Sequence, residues 1–211
     1  MQKIKLPKTV RVGGMDYKIL FPYDFGEQPN NIGLHNGCSG IIRIAKNDNN
    51  QIVLETLLHE LAHAVDNIYN RSLLDEDTVA IFARAWLQIL IDNDIYLHSD
   101  KMPKKIKVAG FSYRVDFPYK FVESVDDLAA QTINNSLIIR VGAEDSGELY
   151  NQSFIKAVLV YSINSAVGWI YLGREEEPEP VTHVKSSNFA HGWYQVLKDN
   201  KIDSLVKIYG G

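Results

Sequence analysis

Apolar positions in the first fifty residues follow a short period that is typical of β-strands. Two β-branched or aromatic runs, at residues 10–12 and 17–21, flank a Gly-Gly pair, and this pattern predicts a hairpin. Similar runs at residues 32–36 and 40–45 enclose a Gly-Cys-Ser segment and predict a second hairpin. The N-terminal part of the chain is therefore expected to form four strands.

Beyond residue 50 the apolar residues recur at helical spacing. Residues 51–69 place leucine and valine on one face, which predicts an amphipathic helix. The same spacing over about residues 75–91 predicts a second helix, and its acidic first turn, with Glu76 and Asp77, favours the helix dipole. Four strands followed by two helices indicate an α+β unit.

The sequence also resembles itself. Residues 6–25 (LPKTVRVGGMDYKILFPYDF) match residues 102–121 (MPKKIKVAGFSYRVDFPYKF). Three more blocks match in the same order, GIIRI with LIIRV, AVDNIY with AVGWIY, and FARAWLQIL with FAHGWYQVL. Collinear matches in four blocks predict an internal duplication. We expect two tandem units, residues 1–94 and 95–211, each with a short, mostly antiparallel sheet packed on two helices.

Composition narrows the class of protein. The chain has 211 residues, 45% apolar and 23% charged, which is ordinary for a soluble globular protein. A net charge of -4 argues against a nucleic-acid partner. The single cysteine, Cys38, excludes an internal disulfide and favours a reducing, cytoplasmic setting. The apolar stretch at residues 154–172 includes Lys156 and Asn164, so it predicts a buried helix and no membrane association.

Residues 59–63 read HELAH, the HExxH pattern of zinc hydrolases. On a helix, His59 and His63 lie on one face, so both imidazoles reach one ion. Glu60 is one residue round the helix from His59, where its carboxylate can take a proton from a zinc-bound water as general base. The pattern predicts a Zn²⁺ site with these three residues.

A zinc site of this kind needs a third protein ligand. Asp66 follows His63 on the same helix and is poorly placed to close the site. A turn between the helices brings the start of the second helix over the metal, where Glu76 and Asp77 lie. Because glutamate reaches further, we expect Glu76 to be the ligand, with Asp77 as the alternative; both residues could also simply cap the helix.

These residues carry a family resemblance. HELAHAVD, followed by LDEDTVAIFARAWLQIL and preceded by IIRIA, resembles the small zincin metallopeptidases of phages and mobile elements, which are similar to the ImmA/IrrE and SprT-like families. The resemblance covers about residues 8–93. It implies a twisted sheet packed on the HExxH helix, with His59 and His63 as ligands, Glu60 as base and Glu76 as third ligand.

The resemblance also implies that the edge strand at residues 32–36 holds an extended peptide by β-addition. His35 in that strand would contact the substrate or the oxyanion, or would simply be an exposed strand histidine. One departure is Thr78, because relatives of the ImmA type often carry glutamate nearer the Phe-Ala pair.

The second unit lacks the predicted metal ligands. Tyr161, Ser162 and Ser165 stand at the three HExxH positions, and His183 stands at about the position of Glu76. Tyrosine and serine do not hold zinc in this geometry, so the second unit is expected to be metal-free and inactive.

The leading hypothesis is a zinc metallopeptidase that cleaves an intracellular protein or peptide, with Glu60 activating a zinc-bound water. The alternative is a catalytically silent zinc-containing protein that binds a host or regulatory partner. Neither a nucleic acid nor a membrane is an expected partner, and the oligomeric state stays open.

Overall fold

The structure is a computed structural model that describes residues 3–28, 30–121, 128–145, 147–173, 184 and 186–210. Within these ranges the chain forms ten β-strands and five α-helices. The expected α+β class is therefore confirmed.

The first four strands form one mixed sheet. β1 (Thr9–Val12) and β2 (Met15–Tyr23) form the first predicted hairpin, and β3 (Gly33–Asn36) and β4 (Ile41–Ala45) form the second. The strand order is β1-β2-β4-β3, and the central pair β2 and β4 runs parallel. This order leaves β3 at one edge of the sheet.

Two helices follow this sheet, and both begin within one residue of the predicted start. The first packs on the sheet, and the second packs on the first. α1 (Asn50–Tyr69) is capped by Asn49, and α2 (Glu76–Asp92) is capped by Asp75. Each capping side chain accepts a hydrogen bond from a backbone N–H in the first turn, which satisfies a donor that the helix leaves unpaired. The apolar face of α1 is fully buried.

The second half of the chain contains a sheet of the same plan. β5 (Lys105–Val108), β6 (Phe111–Asp116), β7 (Ala130–Ile133) and β8 (Ile138–Val141) follow the order β5-β6-β8-β7. The pairing is antiparallel, parallel and antiparallel, as in the first sheet. The remaining elements are β9 (Glu144–Asp145), β10 (Glu148–Leu149), α3 (Gln152–Val167), α4 (Ser187–Asp199) and α5 (Ile202–Tyr209).

α3 is the apolar helix that the sequence predicts to be buried. With the π-helical turns Gly168–Leu172 that follow it, it is the one described helix long and apolar enough to cross a membrane. Its most apolar window has a mean hydropathy of 1.4, and 61% of that window is buried inside the structure. The helix is therefore placed as a core element.

Aromatic side chains join the two halves in one continuous core. Phe82 and Trp86 of α2 face Phe189 and Trp193 of α4, and all four side chains are fully buried. The ring centroids of Phe82 and Phe189 are 5.2 Å apart, and those of Trp86 and Trp193 are 6.0 Å apart, both in edge-on geometry. Such pairs contribute about 0.5–1.5 kcal/mol each beyond the burial of their area. α2 is thus supported directly by the second half.

Polar contacts between the halves occur in reciprocal pairs. The hydroxyl of Tyr69 donates to Oε1 of Gln195 at 2.5 Å, and the hydroxyl of Tyr171 donates to Oε1 of Gln88 at 3.0 Å. Each half therefore provides one tyrosine hydroxyl as a donor and one glutamine oxygen as an acceptor to the other half.

The asparagines that follow α2 and α4 make the same kind of exchange. The side chain of Asn200 accepts from the backbone N–H of Arg11 at 2.8 Å and donates to its carbonyl at 2.9 Å. The side chain of Asn93 accepts from the N–H of Lys107 at 2.6 Å and donates to its carbonyl at 2.9 Å. Each asparagine thus fixes the first strand of the other half's sheet.

Candidate metal centre

Three of the predicted ligands meet at one point. His59 and His63 lie one turn apart on α1, and their Nε2 atoms are 3.1 Å apart. Glu76, the first residue of α2, places Oε1 2.8 Å from Nε2 of His59 and Oε2 3.1 Å from Nε2 of His63. These are the only described residues that form a group of at least three possible metal ligands, with ligand atoms within 4.8 Å of one another.

The donor set fits a zinc ion. Tetrahedral coordination with bonds of about 2.0–2.1 Å separates neighbouring ligand atoms by about 3.3 Å. The 3.1 Å separation of the two imidazole nitrogens is close to this value. Two imidazoles and one carboxylate leave one coordination position open, which is the arrangement of catalytic zinc sites.

The other acids weighed for the third ligand lie outside this group. Asp66 is buried and accepts hydrogen bonds from the loop between α1 and α2. Asp75 caps α2 by accepting from the N–H of Thr78 at 2.7 Å. Asp77 lies in the first turn of α2 and is not part of the cluster of described metal-ligating residues. The position that departs from the ImmA pattern, Thr78, is buried beside the cap.

Glu60 is buried beside the ligands, with 5% of its surface exposed. Loss of solvent raises the pKa of its carboxyl to about 8 in the metal-free protein. A hydrogen bond with the backbone of His35 acts against this rise in pKa, while the negative charge of Glu76 adds to it. Burial makes the ionised carboxylate more basic than one in water, so it is a stronger proton acceptor once a cation beside it favours its ionised form.

The edge strand approaches Glu60 so closely that it needs a glycine. A Cβ atom on Gly33 would overlap Oε1 of Glu60 and would lie 2.6 Å from Cγ2 of Thr56. Gly33 therefore makes room for the carboxylate between α1 and β3. Sequence reasoning missed this residue, although a glycine within a short strand is a known sign of close approach.

His35 also faces α1, and it is half-buried. Its ring stacks on that of His63, with centroids 6.4 Å apart and an interplanar angle of 8°. The ring centroid of Tyr17 lies 5.3 Å from that of His35. Burial, and then the charge of His63, lowers the pKa of His35 to about 4, so its ring is neutral at pH 7.

Two polar atoms near this stack are buried without a hydrogen-bond partner among the described atoms. They are Nε2 of His35 and the hydroxyl oxygen of Tyr17. Buried polar atoms are seldom left unsatisfied, so each is available to a ligand or a water molecule. Tyr17 is a second residue near the site that the sequence did not indicate.

Cavities lie on both sides of the ligands along β3. One of about 400 Å³ adjoins the Gly33 end, and one of about 380 Å³ adjoins the Asn36 end. The backbone N–H of Ala45 donates to the carbonyl of Ile32 at 2.9 Å. In an antiparallel pair the direction alternates, so the backbone groups of Gly33 and His35 point away from β4. The backbone of His35 is already hydrogen-bonded to Glu60, which leaves the groups of Gly33 at the open edge.

The second half of the chain has no such centre in its described parts. Ser162 on α3 is buried, and its backbone carbonyl accepts from Oγ1 of Thr132 at 3.1 Å. Tyr161 and Ser165 also lie on α3, and His183 lies outside the described residues. The candidate metal centre is therefore confined to the first half.

The chain matches no protein-family model, no curated protein and no solved structure.

Proposed function

We propose that the protein is a zinc-dependent metallopeptidase of the zincin type that cleaves a protein or peptide in the cytoplasm. The observation that carries the proposal is the convergence of His59, His63 and Glu76 beside the buried carboxyl of Glu60. A set of ligands alone would suit a structural ion. A buried carboxyl beside these ligands that is not itself one of them suits a general base in hydrolysis.

The chemistry divides between the ion and the chain. Zinc held by His59, His63 and Glu76 would polarise the scissile carbonyl and lower the pKa of bound water toward ~7. Glu60 accepts the proton from the attacking water and returns it to the amine of the leaving peptide. The backbone hydrogen bond with His35 orients the carboxyl of Glu60, and burial beside Gly33 restricts its rotation.

The substrate class follows from the open edge of β3. An extended peptide pairs with outward backbone groups of an edge strand, and its side chains alternate between the two faces. Ile32 and Leu34 are large apolar residues exposed along this edge. A peptide lying there crosses the metal ligands and meets one cavity on each side of them.

The larger of these two cavities indicates one preferred side chain. Ile32, Ile52 and Ala80 line it with apolar surface, and its volume of about 400 Å³ is large enough to admit an apolar side chain. Arg84 and Glu55 form an ion pair at 3.1 Å in its wall. We therefore expect an apolar residue at one of the positions next to the scissile bond.

We also propose that the chain is a tandem duplication whose second unit supports the first. The two sheets share strand order and pairing directions. Each contact between the halves recurs between the equivalent positions of the repeat, with the two halves exchanged. The equated pairs are Tyr69 with Tyr171, Gln88 with Gln195, Asn93 with Asn200, Arg11 with Lys107, Phe82 with Phe189, and Trp86 with Trp193. Like positions contacting one another are the signature of a two-fold interface.

The same comparison relates Gly33 to the loss of the base. By strand register, Ala130 in β7 occupies the place of Gly33 in β3, because they pair with Val141 and Ile44 respectively. A Cβ is tolerated at Ala130 where the smaller Ser162 replaces the glutamate on the facing helix. The second unit therefore acts in this proposal as a scaffold that holds α2.

A peptide-library digestion tests the proposed activity. Protein loaded with one equivalent of Zn²⁺ is incubated with random peptides, and products are identified by mass spectrometry. Glu60→Gln is expected to keep the zinc and lose cleavage, and EDTA is expected to stop cleavage by the wild type. Ser162→Ala, at the matched position of the second unit, should cleave normally.

Two outcomes would count against the peptidase. Equal cleavage by wild type and Glu60→Gln would show that this carboxyl is not the base. A zinc-loaded wild-type protein that cleaves nothing would favour the alternative, a silent zinc protein whose edge strand binds a partner segment at Ile32 and Leu34.

A further inference from the structure

We infer that Asp66 is a positioning residue that fixes the turn between α1 and α2, so that Glu76 reaches the two histidines. This inference rests on the proposed metal site. It assigns a role to a buried carboxylate that lies close in sequence to the ligands without being one of them.

Asp66 binds the turn through all of its oxygens. Oδ1 accepts from Nδ2 of Asn70 at 2.9 Å and from the backbone N–H of Leu73 at 3.3 Å. Oδ2 accepts from the N–H of Leu74 at 3.0 Å. Its carbonyl accepts from the N–H groups of Asn70 and Ser72 at 2.9 and 3.0 Å. With both carboxylate oxygens engaged and 2% of the residue exposed, the side chain is committed to the loop.

The turn has a conformation that needs such support. Arg71 and Ser72 have φ angles of 60° and 57°, so two consecutive residues with side chains adopt the left-handed region. This region is unfavourable for residues other than glycine, and a run of two is rare. Hydrogen bonds that Asp66 accepts from Ser72 and from the residues on either side of this pair compensate for it.

The path from this turn to the metal ligands is short. Leu74, whose N–H is held by Asp66, is buried in the core. The next residue, Asp75, caps α2, and Glu76 follows it as the first helical residue. Asp66 is on α1, the helix that carries His59 and His63. One side chain therefore ties the third ligand to the element that holds the other two.

The second half provides a natural contrast. In the matching blocks AVDNIY and AVGWIY, the position of Asp66 is taken by Gly168. There α3 passes into the π-helical turns Gly168–Leu172, so no such turn begins at this point. The carboxylate is thus absent from the half whose HExxH positions hold Tyr161, Ser162 and Ser165.

Zinc affinity in a double-mutant cycle tests the inference. The full-length wild type, Asp66→Asn, Glu76→Gln and the double variant are titrated with Zn²⁺ against a chromophoric chelator. Replacing one acceptor oxygen of Asp66 by an amide NH₂ is expected to weaken zinc binding about 10- to 100-fold, the usual effect of changing a residue that orients a ligand. The double variant should bind no more weakly than Glu76→Gln, because both changes remove the same ligand.

Asp203→Asn provides a matched control. Asp203 is also buried, and it accepts from the backbone N–H of Leu97 at 3.1 Å, far from the ligands in sequence. This variant should lose stability without losing zinc affinity. If Asp66→Asn does not fold, Asn70→Ala removes one bond of the same network and should weaken zinc in the same direction.

The outcomes separate this inference from the proposed function. Asp66→Asn with wild-type zinc affinity, or a drop in affinity equal to that of Asp203→Asn, overturns the positioning role alone. Fully additive effects in the double variant also overturn it. A wild-type protein that binds no zinc refutes the metal site itself and the positioning role with it.

Discussion

Adding a single methyl group to the edge strand should slow catalysis about 100-fold while leaving zinc binding intact. In Gly33→Ala the new Cβ would overlap Oε1 of Glu60 and lie 2.6 Å from Cγ2 of Thr56. Carbon atoms pack at about 3.5–4.0 Å, so α1 and β3 must separate locally by about 1 Å or Glu60 must rotate away. The contacts of the new Cβ are with Glu60 and Thr56, and the metal ligands are not among its nearest atoms.

The size of the effect follows from these contacts. Overpacking of this kind costs about 1–3 kcal/mol of stability. A shift of about 1 Å in a catalytic group lowers the rate about 100-fold. We therefore expect kcat/KM to fall about 100-fold on a peptide found by library digestion, while zinc affinity in a chelator titration stays near that of the wild type.

Ala130→Gly, the reverse change at the equivalent position of the second half, is the control for this variant. It removes the Cβ at the corresponding position of β7, which pairs with Val141 as Gly33 pairs with Ile44. It should cost about 0.5–1 kcal/mol of stability and leave kcat/KM unchanged. A Gly33→Ala protein with wild-type kcat/KM would refute the argument that this glycine makes room for the base.

Four further variants or treatments have expected outcomes. Saturating Zn²⁺ at about 1,000 times Kd should raise the free energy of unfolding by about 4 kcal/mol in thermal melts, and EDTA should reverse this. The free energy of unfolding of the metal-free protein should fall as pH rises from about 4.5 to about 8, by at most about 5 kcal/mol. The reason is that the folded state keeps a proton on Glu60 that the unfolded state releases. Glu60→Gln should remove this pH dependence in denaturant titrations. Arg84→Glu replaces a cation in the wall of the larger cavity by a fourth carboxylate, beside Glu55, Glu60 and Glu76, and should enrich Lys and Arg about two- to fivefold next to the cleaved bond in library digests. Phe189→Ala should lower the free energy of unfolding by about 3–5 kcal/mol, measured in urea, because its ring is fully buried against Phe82.

Each of these has a clear opposing result. A melting temperature indifferent to zinc would contradict the ligand geometry. Persistence of the pH dependence in Glu60→Gln would assign it to another group. An unchanged cleavage pattern in Arg84→Glu would remove the larger cavity from the substrate path. A stable Phe189→Ala protein would mean that the second half does not support α2.

The helices and the approach of the two histidines were predictable from the sequence because both depend on local spacing. The caps Asn49 and Asp75 lie next to residues with helical periodicity, and His59 and His63 are four residues apart whatever the rest of the fold. The choice of Glu76 rested on the reach of its side chain and on the resemblance to zincins. The structure places its carboxylate between both imidazoles.

What the sequence did not indicate depends on contacts between distant segments. The parallel pairing of β2 with β4 is set by how the two hairpins meet, and neither hairpin encodes it alone. The role of Gly33 depends on which residue of α1 faces β3. Asp66 was weighed as a possible ligand, whereas its partners are backbone N–H groups of a turn whose conformation no local pattern specified.

Anomalous X-ray diffraction at the zinc edge, on crystals of the zinc-loaded protein, tests the central claim most directly. We predict one peak per chain, about 2.0–2.2 Å from Nε2 of His59, Nε2 of His63 and a carboxylate oxygen of Glu76. A peak elsewhere, or no peak between these three side chains at full zinc loading, would contradict it.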